Sequence, residues 1–518
     1  MSEKKLLVNL DAMIKRADFA QTSDSQITFE KIPTISIRDF STDGLVGNNL
    51  RKPDFQRETN HWTPNQVLSL LECFLNGDLI PSVILWQSQT FLFVIDGGHR
   101  LSVLKAWVED DYGDGPSSVR YFGDSISGYQ KKAAERTRKL VSDTIGSYQH
   151  IKTRIENSEI DKRALSVMTR GLPIQWVDGD AEKAENSFFK INTQGTPLDE
   201  IEEALLRNRK RPIAISARAI IRAGKGHKYW SRFNPENTQV IEGLSKSLHK
   251  TLFDPEMISP IKTLDLPLGG SKGIRSALQI LIDYISVSCR SQSQRSISID
   301  YGNDDEIGEE TIEVLKKALR LGQRMTGNDK GSLGLHPAVY YYGPTGVHSS
   351  PMFLGTALLI NEKLAYNDSD FFKYFTDSRE AIENTLITNK ELIATILQKM
   401  GSRNRIVKYK DLLNSIYTAA KENSTITEGD LVSWAGLEGK IIVGQEKSNK
   451  VDFSDEAKSK IFIYTALKNH IKCPICKGYL DTSKSVSYDH IKRVRDGGSG
   501  DADNGQITHP YCNQSIRN

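Results

Sequence analysis

Two short-spaced pairs of candidate metal ligands near the C-terminus constrain this chain most. Cys473 and Cys476 form a C-x-x-C knuckle, and His509 and Cys512 form an H-x-x-C pair after the intervening residues 477–508. Zinc takes four nitrogen or sulfur ligands in a tetrahedron, so two such pairs on separate turns can staple a segment too small to build its own core. One C-x-x-C alone carries little weight, because such pairs also serve redox chemistry. The second pair makes a structural Cys3His zinc site the preferred reading. His470, just before the knuckle, stands as a competing ligand or as an ordinary helix-end histidine.

The other two cysteines, Cys73 and Cys289, lie in apolar helical stretches and read as core, so the odd total of five argues against a disulfide framework. At about 150 residues per domain, a chain of 518 residues calls for several domains. With 38% apolar and 26% charged residues, collagen-like and fully disordered chains are excluded. The 68 basic and 65 acidic residues leave a net charge of +3, so any nucleic-acid contact must come from local patches. No apolar run is long enough to cross a bilayer, and the start lacks a signal peptide's apolar core. The expectation is a cytoplasmic protein without membrane contact.

Residues 1 to about 45 read as a polar lead-in with one helix around Leu6 to Ala20. The segment TPNQVLSLLECFLNG predicts a helix capped by Thr63, begun by Pro64 and stopped at Gly77. SVILW and TFLFVID predict a strand pair, and DGGHR (Asp96 to Arg100) opens a helix after the second strand. GLPIQWVDGD predicts another strand, followed by a helix, a turn containing Asn192, Thr193 and Gly195, and a second helix. Residues 210–450 read as a mostly helical block without repeats, and a helix near Glu456 to Asn469 leads into the cysteine-bearing tail. Basic residues cluster from Arg207 to Lys228, where Tyr229 and Trp230 are candidates for base stacking; KMGSRNRIVKYK is a lesser candidate.

In the tail, VSYDHI predicts a strand carrying Asp489 and His490, followed by a Gly497–Gly498 loop, Asn504 and a terminal segment with Asn513. This order resembles the HNH endonuclease family and its ββα-metal motif. The resemblance implies that His490 is the general base, that Asp489 and Asn513 hold a divalent cation such as magnesium, and that Asn504 fixes the loop and orients His490. The residue types suit that chemistry. A neutral imidazole accepts a proton from water, and a hard cation with oxygen ligands neutralises charge on a phosphate. Arg493 stands where the family often has proline, and the second zinc pair is more often Cys-x-x-Cys. The bland alternative is a zinc-held DNA-binding knuckle.

The motif DGGHR, alone, reads as a turn in preference to a phosphate site at a helix N-terminus. Preceded by FQRETNHW and NGDLIPS and followed by FFKINTQGTPLDEIE, it resembles the N-terminal domain of GmrSD-type restriction systems, a relative of the ParB and sulfiredoxin fold. That resemblance implies NTP binding by Gln56, Arg57, Asp96, Gly97, His99 and Arg100, coupled to restriction of phage DNA, often modified. The family's commoner form is Asp-Gly-Gln-Gln-Arg, whereas Gly98 and His99 hold the middle positions here, which weakens hydrolysis more than binding.

The resulting expectation is an α+β chain of three parts: a ParB/sulfiredoxin-like nucleotide-binding domain at 1–209, a helical connector at 210–450 and a zinc-stapled HNH nuclease domain at 451–518. Its expected activity is NTP-regulated, metal-assisted cleavage of phage DNA, with zinc as structural metal, magnesium or another divalent cation as catalytic metal, and homo-oligomerisation left open. The alternatives are a modified-base reader with a non-catalytic zinc tail, and a nuclease acting on host RNA or DNA in abortive infection.

Overall fold

The computed structural model describes residues 6–17, 19, 30–41, 44–53, 56, 59–60, 62–88, 91–122, 126–194, 200–225, 229–230, 232–271, 274–291, 297–401, 404–440 and 452–516. They form two compact units, Met1–Arg209 with Lys225–Arg232, and Lys210–Gly224 with Phe233–Asn518. The cysteine-bearing tail therefore shares a unit with most of the helical segment.

The first unit is organised by a 6-stranded mixed sheet of β1 (Arg16–Ala17), β2 (Thr34–Ser36), β3 (Leu50–Pro53), β4 (Val83–Gln87), β5 (Leu92–Asp96) and β6 (Gly171–Val177), in the order β1-β3-β5-β4-β6-β2. The expected strand pair is the antiparallel β4–β5 hairpin, with Trp86 opposite Phe93. These strands read as continuous apolar runs because both faces are covered. Val83, Leu85 and Val94 point into one core with Leu71 and Phe74 of the helix Pro64–Asn76. Trp86, Phe93 and Ile95 point into a second core with Ala184 and Phe188 of the helix Ala181–Gln194. The helix Pro64–Asn76 begins and ends as its sequence predicts: Thr63 and Gln66 form a reciprocal capping box, and Gly77 turns the chain out at φ 85°.

The start of the chain departs from the expected lead-in helix. It forms a short helical turn at Asp11–Met13 and then β1, and Val8, Leu10, Met13 and Ile14 are buried in the core. The reason is a buried polar network around Asp11, invisible to a hydrophobic-period reading. Asp11 Oδ1 accepts from Arg16 Nη2 at 2.7 Å, Lys52 Nζ at 3.0 Å and the Thr59 amide at 3.2 Å, while Oδ2 accepts from Tyr121 at 3.1 Å. Lys52 also donates to Thr59 Oγ1 at 2.6 Å, and Arg16 donates to the Gln56 carbonyl. Two cations and one carboxylate thus hold the segment carrying Gln56 and Thr59 against the sheet.

The second unit is helical up to its last residues. Helix Ser350–Ala365 packs on Arg405–Lys421, and Pro235–Phe253 packs on Glu309–Met325. At the first crossing a β-carbon on Gly355 would lie 2.8 Å from the Tyr409 ring, so glycine is what lets the two backbones approach. The run REAIENTLITNKELIATILQKM forms two helices, Arg379–Thr388 and Lys390–Lys399, broken at Asn389. The unit ends with the antiparallel ribbon of β7 (Ser487–His490) and β8 (Gly505–Thr508). The class is mixed α+β, and no helix among the described residues is long and apolar enough to cross a membrane.

Two outcomes follow from buried charge. Replacing Asp11 by alanine leaves Arg16 and Lys52 buried without their shared carboxylate, a loss of about 3–5 kcal/mol in the unfolding of the first unit by denaturant titration. In the second unit burial pushes the Lys390 amine down to about 7, with its Nζ donating to the Val339 carbonyl at 3.1 Å. Between about 7 and the ordinary 10.5 the unfolded chain binds this proton and the folded chain does not, so this contribution to stability is lost as pH falls through that window. Lys390→Met should therefore gain most over wild type at pH 7 and below, and least above pH 10.5, in thermal melts across pH.

Candidate metal centre and active site

Cys473, Cys476, His509 and Cys512 converge from the two predicted pairs, with one ligand atom of each within 4.8 Å of every other, and all four are buried. The knuckle closes because the Lys477 amide donates to the Cys473 carbonyl at 2.8 Å and the Cys473 amide to the Gly478 carbonyl at 2.9 Å. His509 Nδ1 lies 3.3 Å from Cys476 Sγ and 3.9 Å from Cys512 Sγ. Ordinary Zn–S and Zn–N bond lengths in a tetrahedron put nitrogen and sulfur about 3.6 Å apart, between those two distances. His509 Nε2 is 3.0 Å from the Tyr479 carbonyl, which fixes the tautomer that presents Nδ1 to a metal. Burial and the nearby Arg379 charge hold His509 below its ordinary range, as a neutral ligand must be.

The sulfurs themselves call for a cation. Hydrogen bonds from the Cys476 and Cys512 thiols draw Cys473 below its usual range, while contact with Cys473 pushes Cys476 up to about 12 and Cys512 higher still. Ionising all three sulfurs at such close quarters is opposed by their mutual repulsion, which a bound cation relieves. His470 is not part of the cluster: its Nε2 lies 2.7 Å from the Leu480 carbonyl.

The centre is wedged into the helical unit. Arg379 is fully buried; it donates to Glu383 at 2.7 Å and to the Leu333 and Gly334 carbonyls at 2.5 and 2.9 Å. The other oxygen of Glu383 accepts from the Tyr479 amide of the knuckle at 2.7 Å. A β-carbon at Gly478 would fall 2.4 Å from Arg379 Nε, and one at Gly334 would fall 2.9 Å from the His509 ring. Neither bracing residue carries a signal in the sequence, since Arg-x-x-x-Glu also reads as an ordinary i,i+4 pair on a helix surface.

β7 and β8 lead away from this centre, with Ser487 opposite Thr508, Asp489 opposite Gln506 and His490 opposite Gly505. Asp489 is half-buried and accepts from Gln506 Nε2 at 2.8 Å, whereas His490 is exposed on the other face of β7. Asn513 reaches this strand from the terminal helical turn Cys512–Ile516, donating to Ser487 Oγ at 2.8 Å and to the Tyr488 carbonyl at 2.9 Å. Asn504 ties the loop at the far end of the ribbon. Its Oδ1 accepts from the Lys492 amide at 2.7 Å, and its Nδ2 donates to the Lys492 and Ser499 carbonyls at 3.0 and 2.7 Å. A β-carbon at Gly498 would lie 1.8 Å from the Lys492 carbonyl oxygen, so this loop requires glycine there. Gln506 was not among the expected site residues; its role depends on cross-strand register, which the sequence does not display.

In the first unit, Asp96 ends β5, and Gly97, at φ 94°, starts the helix Gly98–Glu109. Arg100 turns back rather than outward, giving Nη2 to Asp96 at 2.7 Å and to the Ser82 carbonyl at 2.9 Å. Through that nitrogen it braces the corner, while its Nε has no hydrogen-bond partner among the described residues. His99 stacks on Trp62 with ring centroids 5.5 Å apart. Gln56 is buried beside Gly98, whose β-carbon would lie 3.5 Å from Gln56 Oε1, and that oxygen has no hydrogen-bond partner among the described residues. Arg57 and Gly195 lie outside the described residues, while Asn192 and Thr193 fall at the end of a helix rather than in a turn.

The expected basic stacking patch does not materialise as such. Trp230 is fully buried and Tyr229 nearly so, Arg207 pairs with Glu203, Arg209 pairs with Glu185, and Arg218 is buried. In the lesser patch Lys410 pairs with Glu362 and Asp411.

Because the centre and the helical unit share packing, Cys473→Ser should release about one zinc per chain and lower the melting temperature of the whole second unit. Asp489→Ala, half-buried and outside the cluster, should keep its zinc in metal analysis of the purified protein.

Residues 37–209 match the family model of the GmrSD restriction endonuclease N-terminal domain, and residues 473–518 match that of the HNH endonuclease. No curated protein and no solved structure gives a match. The chain thus joins a GmrSD restriction endonuclease N-terminal domain to a C-terminal HNH endonuclease domain.

Proposed function

We propose that this nuclease cleaves phage DNA, modified DNA in particular, and that nucleotide binding in the first unit regulates it. The observation that carries the reading is the ribbon β7–β8, which presents His490 on an exposed face while Asn513 and Gln506 hold its other residues in place. In this reading the His490 imidazole takes a proton from the water that attacks phosphorus, and the 3'-oxygen leaves. Asp489 and Asn513 are the side chains that hold one divalent cation, and such a cation supplies charge neutralisation at the phosphate and leaving oxygen. Asn504 holds the Lys492–Ser499 loop so that the end of β7, and with it His490, keeps its position. The zinc cluster anchors the other end of the ribbon through His509, directly after β8.

The nucleotide would sit at the Asp96–Gly97–Gly98 corner. Three features support it there: a helix N-terminus offering unpaired amides, the left-handed Gly97, and the orphan Gln56 Oε1, which a ligand N–H or O–H would satisfy. Gln56, Asp96, Gly97 and His99 would line it, with Arg57 completing the motif and Arg100 bracing Asp96. In this division 1–209 binds nucleotide, 210–450 connects, and 451–518 cuts, in the cytoplasm. Gating has a physical motive, since an unregulated nuclease would cut its own chromosome, and a nucleotide-linked population shift provides control.

The test is a cleavage assay on plain and modified phage DNA with magnesium and each NTP in turn. Cutting should depend on the nucleotide, and His490→Ala should abolish it, a loss of about 100-fold or more, with zinc retained. Equal cutting with and without every NTP would overturn the gating. Phage protection that survives His490→Ala would favour a modified-base reader, and degraded host RNA or chromosome would favour abortive infection.

A further inference from the structure

The helical unit contains a cavity of about 520 Å³ that neither domain family accounts for. It opens where three packed helices part: the end of Ile274–Cys289, the third and fourth turns of Glu309–Met325, and the last turn of Ser350–Ala365. Its size falls within the range of ordinary small-ligand sites, about 300–1,000 Å³.

Three cations line it, Arg290, Lys317 and Arg320, and no carboxylate does. None of the three makes an ion pair among the described residues. The neighbouring acids are spent elsewhere: Glu313 pairs with Lys316 at 2.9 Å, and Glu362, which does attract Arg290, lies 3.3 Å from Lys410. Arg290 is half-buried, and its Nε has no hydrogen-bond partner. Gathering like charges around one cavity is unfavourable unless an anion balances them, most of all where a guanidinium is already partly out of water. The carbonyl end of the helix Ile274–Cys289 lies beside it, and Asn361 Nδ2 occupies two of its carbonyls, those of Val287 and Arg290, at 2.8 and 3.3 Å, which lessens their competition for the cations. Leu321 and Leu364 supply an apolar wall on the helices opposite Arg290.

We infer that this cavity binds a phosphorylated small molecule of nucleotide size, its phosphates on Arg290, Lys317 and Arg320 and its organic body against Leu321 and Leu364. This site belongs to the helical unit and is independent of the nucleotide corner in the first unit. It would let the unit that carries the nuclease ribbon sense a nucleotide directly.

Isothermal titration of the full zinc-loaded chain with ATP, AMP, pyrophosphate and inorganic phosphate tests it. Lys317→Glu with Arg320→Glu changes two exposed positions and should leave zinc content and melting unchanged. The double variant should bind one equivalent fewer of ATP, or bind it at least about tenfold more weakly, the loss expected for a charge-assisted contact. Arg290→Gln, a milder change, should move affinity the same way. Equal equivalents at equal affinity in both variants would overturn the site, as would a wild-type chain that binds none of the four probes. AMP binding no tighter than inorganic phosphate would overturn the assignment of nucleotide size. Binding at the first unit is common to both chains, so the difference between them is unaffected by whether the first unit binds nucleotide.

Discussion

The buried Arg379–Glu383 pair is the interaction on which the nuclease end of this molecule depends. A guanidinium and a carboxylate removed from water recover their desolvation cost only if nearly every hydrogen-bonding position is used. Here the guanidinium reaches two carbonyls of the 333–334 loop, and the carboxylate accepts from the Tyr340 hydroxyl at 3.1 Å and from the zinc knuckle's Tyr479 amide. Three pieces of chain far apart in sequence, 333–340, 379–383 and the knuckle at 479, are thereby held at one point. The metal centre, which in isolation is only a staple, becomes part of a larger core, and its rigidity passes along β7 and β8 to His490.

The same economy of buried charge recurs in the first unit, where Asp11 holds Arg16 and Lys52 and, through them, the segment that bears Gln56. Both candidate sites are thus supported from beneath by an ion pair that touches no ligand. Such pairs contribute less to net stability than well-packed apolar side chains would, but removing one partner leaves the other charge buried and uncompensated.

Motifs with covalent or steric logic were legible in the sequence. The Cys473–Cys476 and His509–Cys512 spacing announced a tetrahedral site, Thr63, Pro64 and Gly77 bounded their helix, and the branched residues of SVILW and TFLFVID marked the central hairpin. Illegible features were those in which polar residues are core. Leu6 to Ala20 reads as helix because its apolar spacing is helical, yet Asp11 has to meet Lys52 and Tyr121, and that demand bends the chain into a turn and a strand. Arg100 reads as a phosphate ligand, and the sequence does not show that its Nη2 also braces Asp96, four residues away. Tyr229 and Trp230 follow a basic run and so suggest stacking on bases, but burial is a property of the folded chain that local composition does not encode.

The strand order of the first unit bears on how the chain is made. β1, near the start, pairs with β3, and β2 pairs with β6, so that Ile35 lies opposite Leu172 and β4 lies beside residues 174–177. β2 therefore has no strand partner until β6 emerges, and Asp11 waits for Tyr121. Vectorial synthesis cannot fold this unit piece by piece from its N-terminus. The sheet closes late, once β6 is available to pair with both β2 and β4.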